Sequence, residues 1–397
     1  MLEKLSNPFA ERVLWMHRFL LRTAFAVSNV FGWIFVFEYF FAIQSEIGIA
    51  FSRTVLMYAF VSTVTCLLVP FSATKLRKGM RSQMMWGVVF VAIAYTLLGA
   101  TFTGLFGIYS FVAVVGFGIC MGVYRALYWI PYEVERYALG KRRARLLYEI
   151  LIALAPVSAG YLMLWGSVPE SMLLFGAVVL MILSLLPLMI IPDTYESFVW
   201  RYRETFGELF MPAHRRLLVG AMIDGVQGTG VLLVWPIIIF LVVGWSYTLF
   251  GLLLSISFLS IILMRGRVAH TPHPIGIFNS LPIRIAIVSS AWMGRLFVAN
   301  PFSIIIMHLY ERTAGQVHTT IDHSAHEQSA DVGHFVDEYS TLREMGLSLG
   351  RMALCVVIAI VASTFSIYVA CVTAFVLIAI SASVSMVLSQ PSSRVSL

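Results

Sequence analysis

The stretch from Leu217 to Val243 reads LLVGAMIDGVQGTGVLLVWPIIIFLVV, and Asp224 is its only charged residue. One α-helix crosses the hydrocarbon core of a bilayer with about 20 apolar residues, so this stretch is long enough. A strand of a membrane β-barrel would instead alternate apolar and polar residues over about ten positions. Because the apolar run is continuous, it predicts a transmembrane helix.

Eleven further apolar runs predict an all-α membrane protein with twelve transmembrane helices. They cover residues 19–42, 55–71, 85–104, 108–130, 146–165, 172–191, 247–264, 283–299, 302–323, 342–361 and 366–388. The composition agrees, because 59% of the residues are hydrophobic and only 12% are charged. A soluble domain carries about 25% charged residues. Residues 315–338 are polar, and the sequence leaves open whether they form membrane helix or cytoplasmic loop.

Of the 27 lysine and arginine residues, 22 lie on one side of this topology. Arg53 alone falls on the opposite side, and four more lie within spans: Arg125, Arg295, Arg312 and Arg351. By the positive-inside rule the crowded side is cytoplasmic, which predicts a plasma-membrane protein with both termini in the cytoplasm. The net charge of +7 is thereby explained without a nucleic-acid partner. Before the first span, residues 1–18 are expected to lie on the membrane surface.

An internal repeat divides the chain into two parts. At an offset of 198 residues, Arg18 falls on Arg216, Leu20 on Leu218, Asn29 on Gln227 and Gly32 on Gly230. Many transporters are duplicated six-helix halves. We therefore expect two pseudo-symmetric six-helix bundles, at residues 1–192 and 216–397, joined by a cytoplasmic linker at 193–215. Residues 196–209 of the linker could form an amphipathic surface helix.

Charged residues at membrane depth recur in every third span. An ionisable side chain there is costly unless it faces the bundle interior or an aqueous cavity. The first, fourth, seventh and tenth spans carry most of them: Arg22 and Glu38, then Arg125, then Asp224, then Glu311, Arg312 and Asp322. Each of these four spans is therefore expected to have an inward face.

This arrangement resembles the major facilitator superfamily, in which the first helix of each three-helix unit lines the cavity. The loop Thr74-Lys-Leu-Arg-Lys-Gly-Met-Arg81 is similar to the family's Gly-x-x-x-Asp-Arg-x-Gly-Arg-Arg motif but lacks its Asp. The segment Ala155-Pro-Val-Ser-Ala-Gly160 resembles a motif of the family's exporters, although close helix packing explains small residues equally well. Arg265-Gly-Arg267 is similar to the matching loop of the second half. The resemblance implies a secondary transporter that works by alternating access.

The tenth span carries a polar stripe with helical spacing: His308, Glu311, Gly315, His318, Asp322 and His326. One interpretation is a cavity wall that binds solute or relays protons. The other is a short helix followed by a solvated loop. His318, Asp322 and His326 could also hold a divalent metal, with a further ligand from another helix; the primary expectation is no metal and no cofactor.

Asp224 and Glu311 are the candidates for proton coupling, because they are the acidic residues near mid-depth on the cavity spans of the second half. A cationic partner is expected for each of them. Arg22 or Arg125 could form a permanent salt bridge with Asp224, and Arg125, Arg312 or Arg351 could serve as a switching partner.

The residues expected to bind solute place a cation beside aromatic and amide groups. They are Asn29, Trp33, Arg125, Tyr128, Gln227, Arg312 and His318. A guanidinium recognises a charged group and rings stack on carbon skeletons, which suits a small anionic or amphipathic organic solute. The gating candidates lie nearer the span ends: Glu38, Glu149, Arg343, Glu344 and Arg351.

Two catalytic motifs, GxxxxGK[ST] and HExxH, are missing from the sequence. The one GxSxG, Gly346-Leu-Ser-Leu-Gly350, lies inside the predicted span 342–361 and not at a strand-to-helix turn. No ATP-driven pump or recognised hydrolase is therefore indicated, and we do not expect an enzyme. The leading hypothesis is a monomeric, proton-coupled secondary transporter that contacts its solute, protons and membrane lipid. The alternatives are a transporter-like sensor or scaffold without translocation, and a divalent-metal transporter.

Overall fold

A computed structural model describes residues 8–139, 146–165, 169–191, 193–195, 198–268, 280–311 and 336–388. Within these ranges all regular secondary structure is helical. Eight helices are long and apolar enough to cross a membrane, and two shorter apolar ones cover Leu146–Leu162 and Tyr247–Leu263. Within the described residues, the expectation of an all-α chain with helices long and apolar enough to span a membrane is confirmed. The count of twelve spans stays a prediction.

The helices are numbered in chain order. They are α1 (Pro8–Ile43), α2 (Ile47–Thr74), α3 (Met80–Phe102), α4 (Ser110–Leu139), α5 (Leu146–Leu162), α6 (Pro169–Ile190), α7 (Tyr202–Leu209), α8 (Arg215–Thr229), α9 (Trp235–Val242), α10 (Tyr247–Val268), α11 (Leu281–Met293), α12 (301–311), α13 (Val336–Thr364) and α14 (Ile367–Leu388). The π-helical turn Gly230–Val234 joins α8 to α9, so the predicted seventh span is one interrupted helix.

The first helix begins earlier than the sequence suggested. Residues 8–18 continue directly into the apolar run as part of α1. Leu14 and His17 in this part are buried, so the expectation of a separate surface segment was wrong there. The amphipathic linker helix is confirmed in shorter form as α7, whose Thr205 and Leu209 are buried.

The helices before and after α7 are described as two groups. In the N-terminal group, α1–α6, the main contacts are α3 with α4 and α6, and α1 with α6. In the C-terminal group, α8–α14, they are α8 with α13 and α11 with α14. Two seams join the groups, one between α2 and α13 and one between α5 and α10.

Glycines bring backbones into direct contact at two of these helix pairs. A Cβ atom on Gly225 of α8 would lie 3.0 Å from the carbonyl carbon of Leu347 on α13, and one on Gly350 of α13 would overlap the backbone of Met222. At the α5–α10 seam, a Cβ on Gly251 would lie 3.3 Å from the Cα of Gly160. Small residues permit such close packing within membranes.

The bundle has two distinguishable ends. We call the end with the α2–α3 loop, residues 193–195 and α7 the linker end. The opposite end, with the α1–α2 and α9–α10 connections, is the far end. Which end faces the cytoplasm is a prediction of the charge distribution.

Candidate substrate, coupling and gating site

The α2–α3 loop obtains from the linker the carboxylate that its own sequence lacks. Asp193 accepts a hydrogen bond from the backbone N–H of Arg81 at 3.0 Å, and its other oxygen lies 3.9 Å from the Arg81 Nε. The Arg77 guanidinium donates to the carbonyl of Phe198 at 2.6 Å. Gly79 has a φ of 117°, and a Cβ there would overlap the Asp193 carboxylate. The loop is therefore clamped to the start of the linker.

Arg343 of α13 connects both groups near the linker end. Its Nη1 donates to Glu133 of α4 at 3.0 Å, and its Nη2 lies 4.0 Å from Asp224 of α8. The sequence predicted other partners for Asp224, namely Arg22, Arg125, Arg312 or Arg351. Glu133 was not among the predicted site residues, although it lies eight residues after Arg125 and so shares its helical stripe. The bridge crosses from the N-terminal to the C-terminal group.

A second polar cluster occupies the junction of α2, α4 and α13. Arg125 is 8% exposed, and its guanidinium carbon lies 4.8 Å from the ring centroid of Tyr58, which is fully buried. Arg351 interacts electrostatically with Tyr58, Arg125 and Glu344. Glu344 is buried and also interacts with Arg125 and Arg343. We call Arg125, Arg351, Glu344, Tyr58 and Tyr124 the central cluster.

The central cluster has more hydrogen-bond donors than acceptors. Within the described part of the chain, four of its buried polar atoms find no hydrogen-bond partner: Nη1 of Arg125, Nε of Arg351 and the hydroxyls of Tyr58 and Tyr124. Buried polar groups are nearly always satisfied in proteins. Two guanidiniums face one carboxylate here, since Arg343 is engaged by Glu133 and Asp224. The cluster therefore carries a surplus positive charge and donors suited to an anion.

Glu311 forms an ion pair with Arg295, a partner that the sequence did not suggest. The suggested Arg312 lies outside the described residues. The Arg295 side chain is fully buried, and its guanidinium carbon lies 3.9 Å from the ring centroid of Trp292 and 5.0 Å from that of Trp235. Trp235 Nε1 donates to His308 Nε2 at 3.0 Å. Glu311 thus belongs to a cation cage built from α9, α11 and α12.

Part of the polar stripe lies outside the described residues. Gly315, His318, Asp322 and His326 belong to this part, and so does the neighbouring Arg312, so the stripe stays a prediction. In the described ranges, no three His, Cys, Asp or Glu residues form a group that could hold a metal ion. The weak expectation of a His318–Asp322–His326 metal site stays untested.

The other predicted solute-binding residues occupy different surroundings. Trp33 is buried between the rings of Tyr58 and Phe117, with centroids 4.9 and 5.6 Å away. Tyr128 donates its hydroxyl to Nε2 of His17 at 3.0 Å, since Nδ1 of this histidine donates to the carbonyl of Ser184. Trp33 and Tyr128 therefore lie in the interior of the N-terminal group.

Asn29 and Gln227, the two amide side chains expected to bind solute, lie at the edges of the buried faces of their helices. Asn29 is half-buried and accepts a hydrogen bond from the Tyr95 hydroxyl at 3.4 Å. Gln227 is half-buried, and its Nε2 has no hydrogen-bond partner within the described ranges. Glu149 is half-buried on the first turn of α5. Residues 140–145, the basic loop expected to meet it, are outside the described ranges.

An aromatic contact closes the far end between the two groups. Trp245, in the α9–α10 connection, has ring centroids 5.5 Å from Phe37 and 4.9 Å from Phe41 of α1. Its φ of 64° is unusual for a bulky residue. Phe31 of α1 meets Phe250 of α10 at 5.4 Å. Beside these rings, the Tyr247 hydroxyl donates to the Glu38 carboxylate. We call this contact the far-end gate.

The exporter-like segment lies at the α5–α10 seam. Two hydrogen bonds join α5 to α10 there. The backbone N–H of Val157 donates to the Ser255 hydroxyl at 2.9 Å, and the Thr248 hydroxyl donates to the carbonyl of Gly160 at 3.2 Å. These bonds, with the close approach of Gly160 to Gly251, show the segment in the role of a packing surface between the groups.

Known structures share this architecture. No protein-family model and no curated protein sequence matches the chain. The human organic anion transporter MFSD10 (TETRAN) is 16% identical, with 96% of this chain and 99% of that chain covered and a TM-score of 0.59. The nucleoside transporter NupG is 11% identical, with 95% and 98% covered and a TM-score of 0.58. A D-xylose-proton symporter is 12% identical, with 94% and 96% covered and a TM-score of 0.62.

Proposed function

We propose that the chain, which has the fold of the major facilitator superfamily, is a twelve-helix secondary transporter. It moves a small organic anion across the cytoplasmic membrane by alternating access and couples this to protons. Residues 1–192 and 216–397 form its two bundles, residues 193–215 link them, and both termini are cytoplasmic. The transporter acts as a monomer, needs no cofactor and is not an enzyme.

The central cluster is the observation that carries this proposal. It lies where helices of both groups meet, since Arg125, Tyr58 and Tyr124 belong to the N-terminal group and Arg351 and Glu344 to the C-terminal group. A solute bound there touches both groups and can favour one relative orientation over another. The unsatisfied donors fit a carboxylate or a phosphate, and the tyrosine rings offer an apolar surface to the remainder of the solute.

Alternating access needs a closure on either side of the central cluster. The far-end gate supplies one closure with aromatic rings. The Glu133–Arg343–Asp224 bridge supplies the other at the linker end. The glycine contacts of the α5–α10 seam keep the two groups in contact while they rock. Rocking about this seam would open one closure while the other stays closed. The similar folds of an organic anion transporter, a nucleoside transporter and a sugar symporter support transport of a small organic solute.

Solute binding is expected to depend on both guanidiniums of the central cluster. A panel of small carboxylates and phosphates is screened for thermal stabilisation of the purified protein and for counterflow in liposomes. For the best solute, Arg125→Gln and Arg351→Gln should each weaken binding by about 10- to 100-fold, because a hydrogen bond to a charged group contributes roughly 1.5–3 kcal/mol. Arg22→Gln, at an exposed arginine of α1, is the matched control.

The outcomes separate the candidate functions. Counterflow that Arg125→Gln and Arg351→Gln leave unchanged contradicts the central cluster as the solute site. Binding without counterflow supports the sensor or scaffold instead of the transporter. Stabilisation by divalent cations, but not by organic anions, supports the metal transporter.

Proton coupling through Asp224 and Glu311 rests on their pairing with arginines. Protonation of Asp224 removes one of the two carboxylates beside Arg343 and so weakens the linker-end bridge. Asp224→Asn and Glu311→Gln should each reduce solute accumulation driven by a pH gradient of one unit by up to about tenfold, the ratio that one coupled proton sustains. Solute exchange without a gradient should persist. Full accumulation in both variants, measured in liposomes, contradicts coupling at these residues.

A further inference from the structure

The surroundings of Glu38 differ from those of Asp224, Glu133, Glu311 and Glu344. Asp224 and Glu133 lie beside Arg343, Glu311 beside Arg295, and Glu344 near Arg351. In the described part of the chain, the titratable groups that interact with Glu38 are Tyr247 of α10 and Glu170 of α6. Neither is a cation, and Glu170 adds a second negative charge.

Glu38 is half-buried, and part of its cover comes from the contact between the two groups. Its carboxylate accepts the Tyr247 hydroxyl from the other group. Phe37, the preceding residue, is fully buried and stacks on Trp245. When α1 and α10 separate, Tyr247 and Trp245 leave and water reaches the carboxylate. The far-end gate therefore decides how far the Glu38 carboxylate is solvated.

A carboxylate that is removed from water without a cation keeps its charge only at a high cost, so it tends to bind a proton instead. The neutral acid can still accept the Tyr247 hydroxyl on its carbonyl oxygen. The ionised acid is favoured once the gate opens, because water solvates it.

We infer that Glu38 is a proton-binding site of the far-end gate: it takes up one proton from the far-end solution as the gate closes and releases it as the gate opens. The inference rests on the proposed alternating access and goes beyond it, because Glu38 is a third acidic residue, separate from Asp224 and Glu311. Closing the gate thereby becomes linked to proton uptake even in the absence of solute.

The distance between the groups at the far end can be measured directly. Spin labels are placed on Ser45 and Leu249, both exposed, in full-length protein whose four cysteines are replaced by alanine. The labelled protein in lipid nanodiscs is studied by pulsed electron paramagnetic resonance from mildly acidic to mildly alkaline pH, without solute. The ratio of closed to open gate should fall as the pH rises, by at most about tenfold per pH unit for one proton.

Three variants test the assignment. Glu38→Gln carries no titratable group and should keep the gate closed, with less than about a twofold change in the closed-to-open ratio over the same pH range. Glu38→Asp should restore a pH response, which keeps the test informative if Glu38→Gln folds poorly. Glu46→Gln, at an exposed acidic residue of the α1–α2 connection, is the control and should respond like the parent protein.

Two results overturn the inference: a distance distribution of the parent protein that does not change with pH, or a Glu38→Gln variant with the parent's pH response. Because no solute is needed, these results are distinguishable from a failure of the transport proposal. That failure would appear as absent counterflow while the gate still responded to pH.

Discussion

Arg295→Met is expected to lower the free energy of unfolding by about 3 kcal/mol, because it leaves Glu311 beside the apolar rings of the cation cage without its cation. The lower end of the range for broken buried pairs applies, since the Glu311 side chain is 27% exposed. The loss also removes the stacking of the guanidinium on Trp292 and Trp235. Unfolding of the purified protein in mixed micelles, followed by circular dichroism, measures the change.

A double variant shows whether the lost charge pair is responsible. Arg295→Met combined with Glu311→Leu removes both charges, and such replacements are often neutral or stabilising. The double variant should therefore recover most of the lost stability. A double variant as unstable as Arg295→Met alone would show that ring stacking, not the ion pair, dominates at this position.

Gly225→Leu is expected to cost about 3 kcal/mol or more, because the new side chain must displace the backbone of α13 at Leu347. Overpacking against a backbone cannot be relieved by a change of rotamer. Gly228→Leu is the matched control, since it lies one turn along the same helix and a Cβ there meets no heavy atom within 4 Å. The control should be as stable as the parent in the same unfolding measurement. Equal losses in both variants would contradict tight packing of α8 on α13.

The fold could be anticipated from the sequence because bilayer embedding leaves a strong signal in composition. Long apolar runs such as Leu217 to Val243 indicate a membrane helix regardless of the helices that it packs against. A charged residue within such a run, as at Arg125, Asp224 and Glu311, likewise indicated a helix with one polar face. These properties belong to one helix at a time, so a linear sequence can display them.

The partners of the charged residues could not be anticipated in the same way. Arg295 meets Glu311, and Arg343 meets Glu133, across helices whose relative rotation and height depend on packing. Asp193 supplies the carboxylate that the α2–α3 loop lacks, although it lies more than a hundred residues further along the chain. No periodicity joins such pairs, because the contact exists only after the helices have assembled. The Glu38–Tyr247 contact has the same origin.

The π-helical turn at Gly230–Val234 sets the angular phase between the two parts of the seventh helix. Each residue of an α-helix advances the side-chain direction by about 100°, and a π turn accommodates one extra residue without breaking the helix. With one residue fewer, the helix would run straight and Trp235 would turn by that angle, away from the ring position it occupies over Arg295. Asp224 precedes the turn and Trp235 follows it, and both face their partners because the turn contains one extra residue. The length of this segment is therefore as important as its composition.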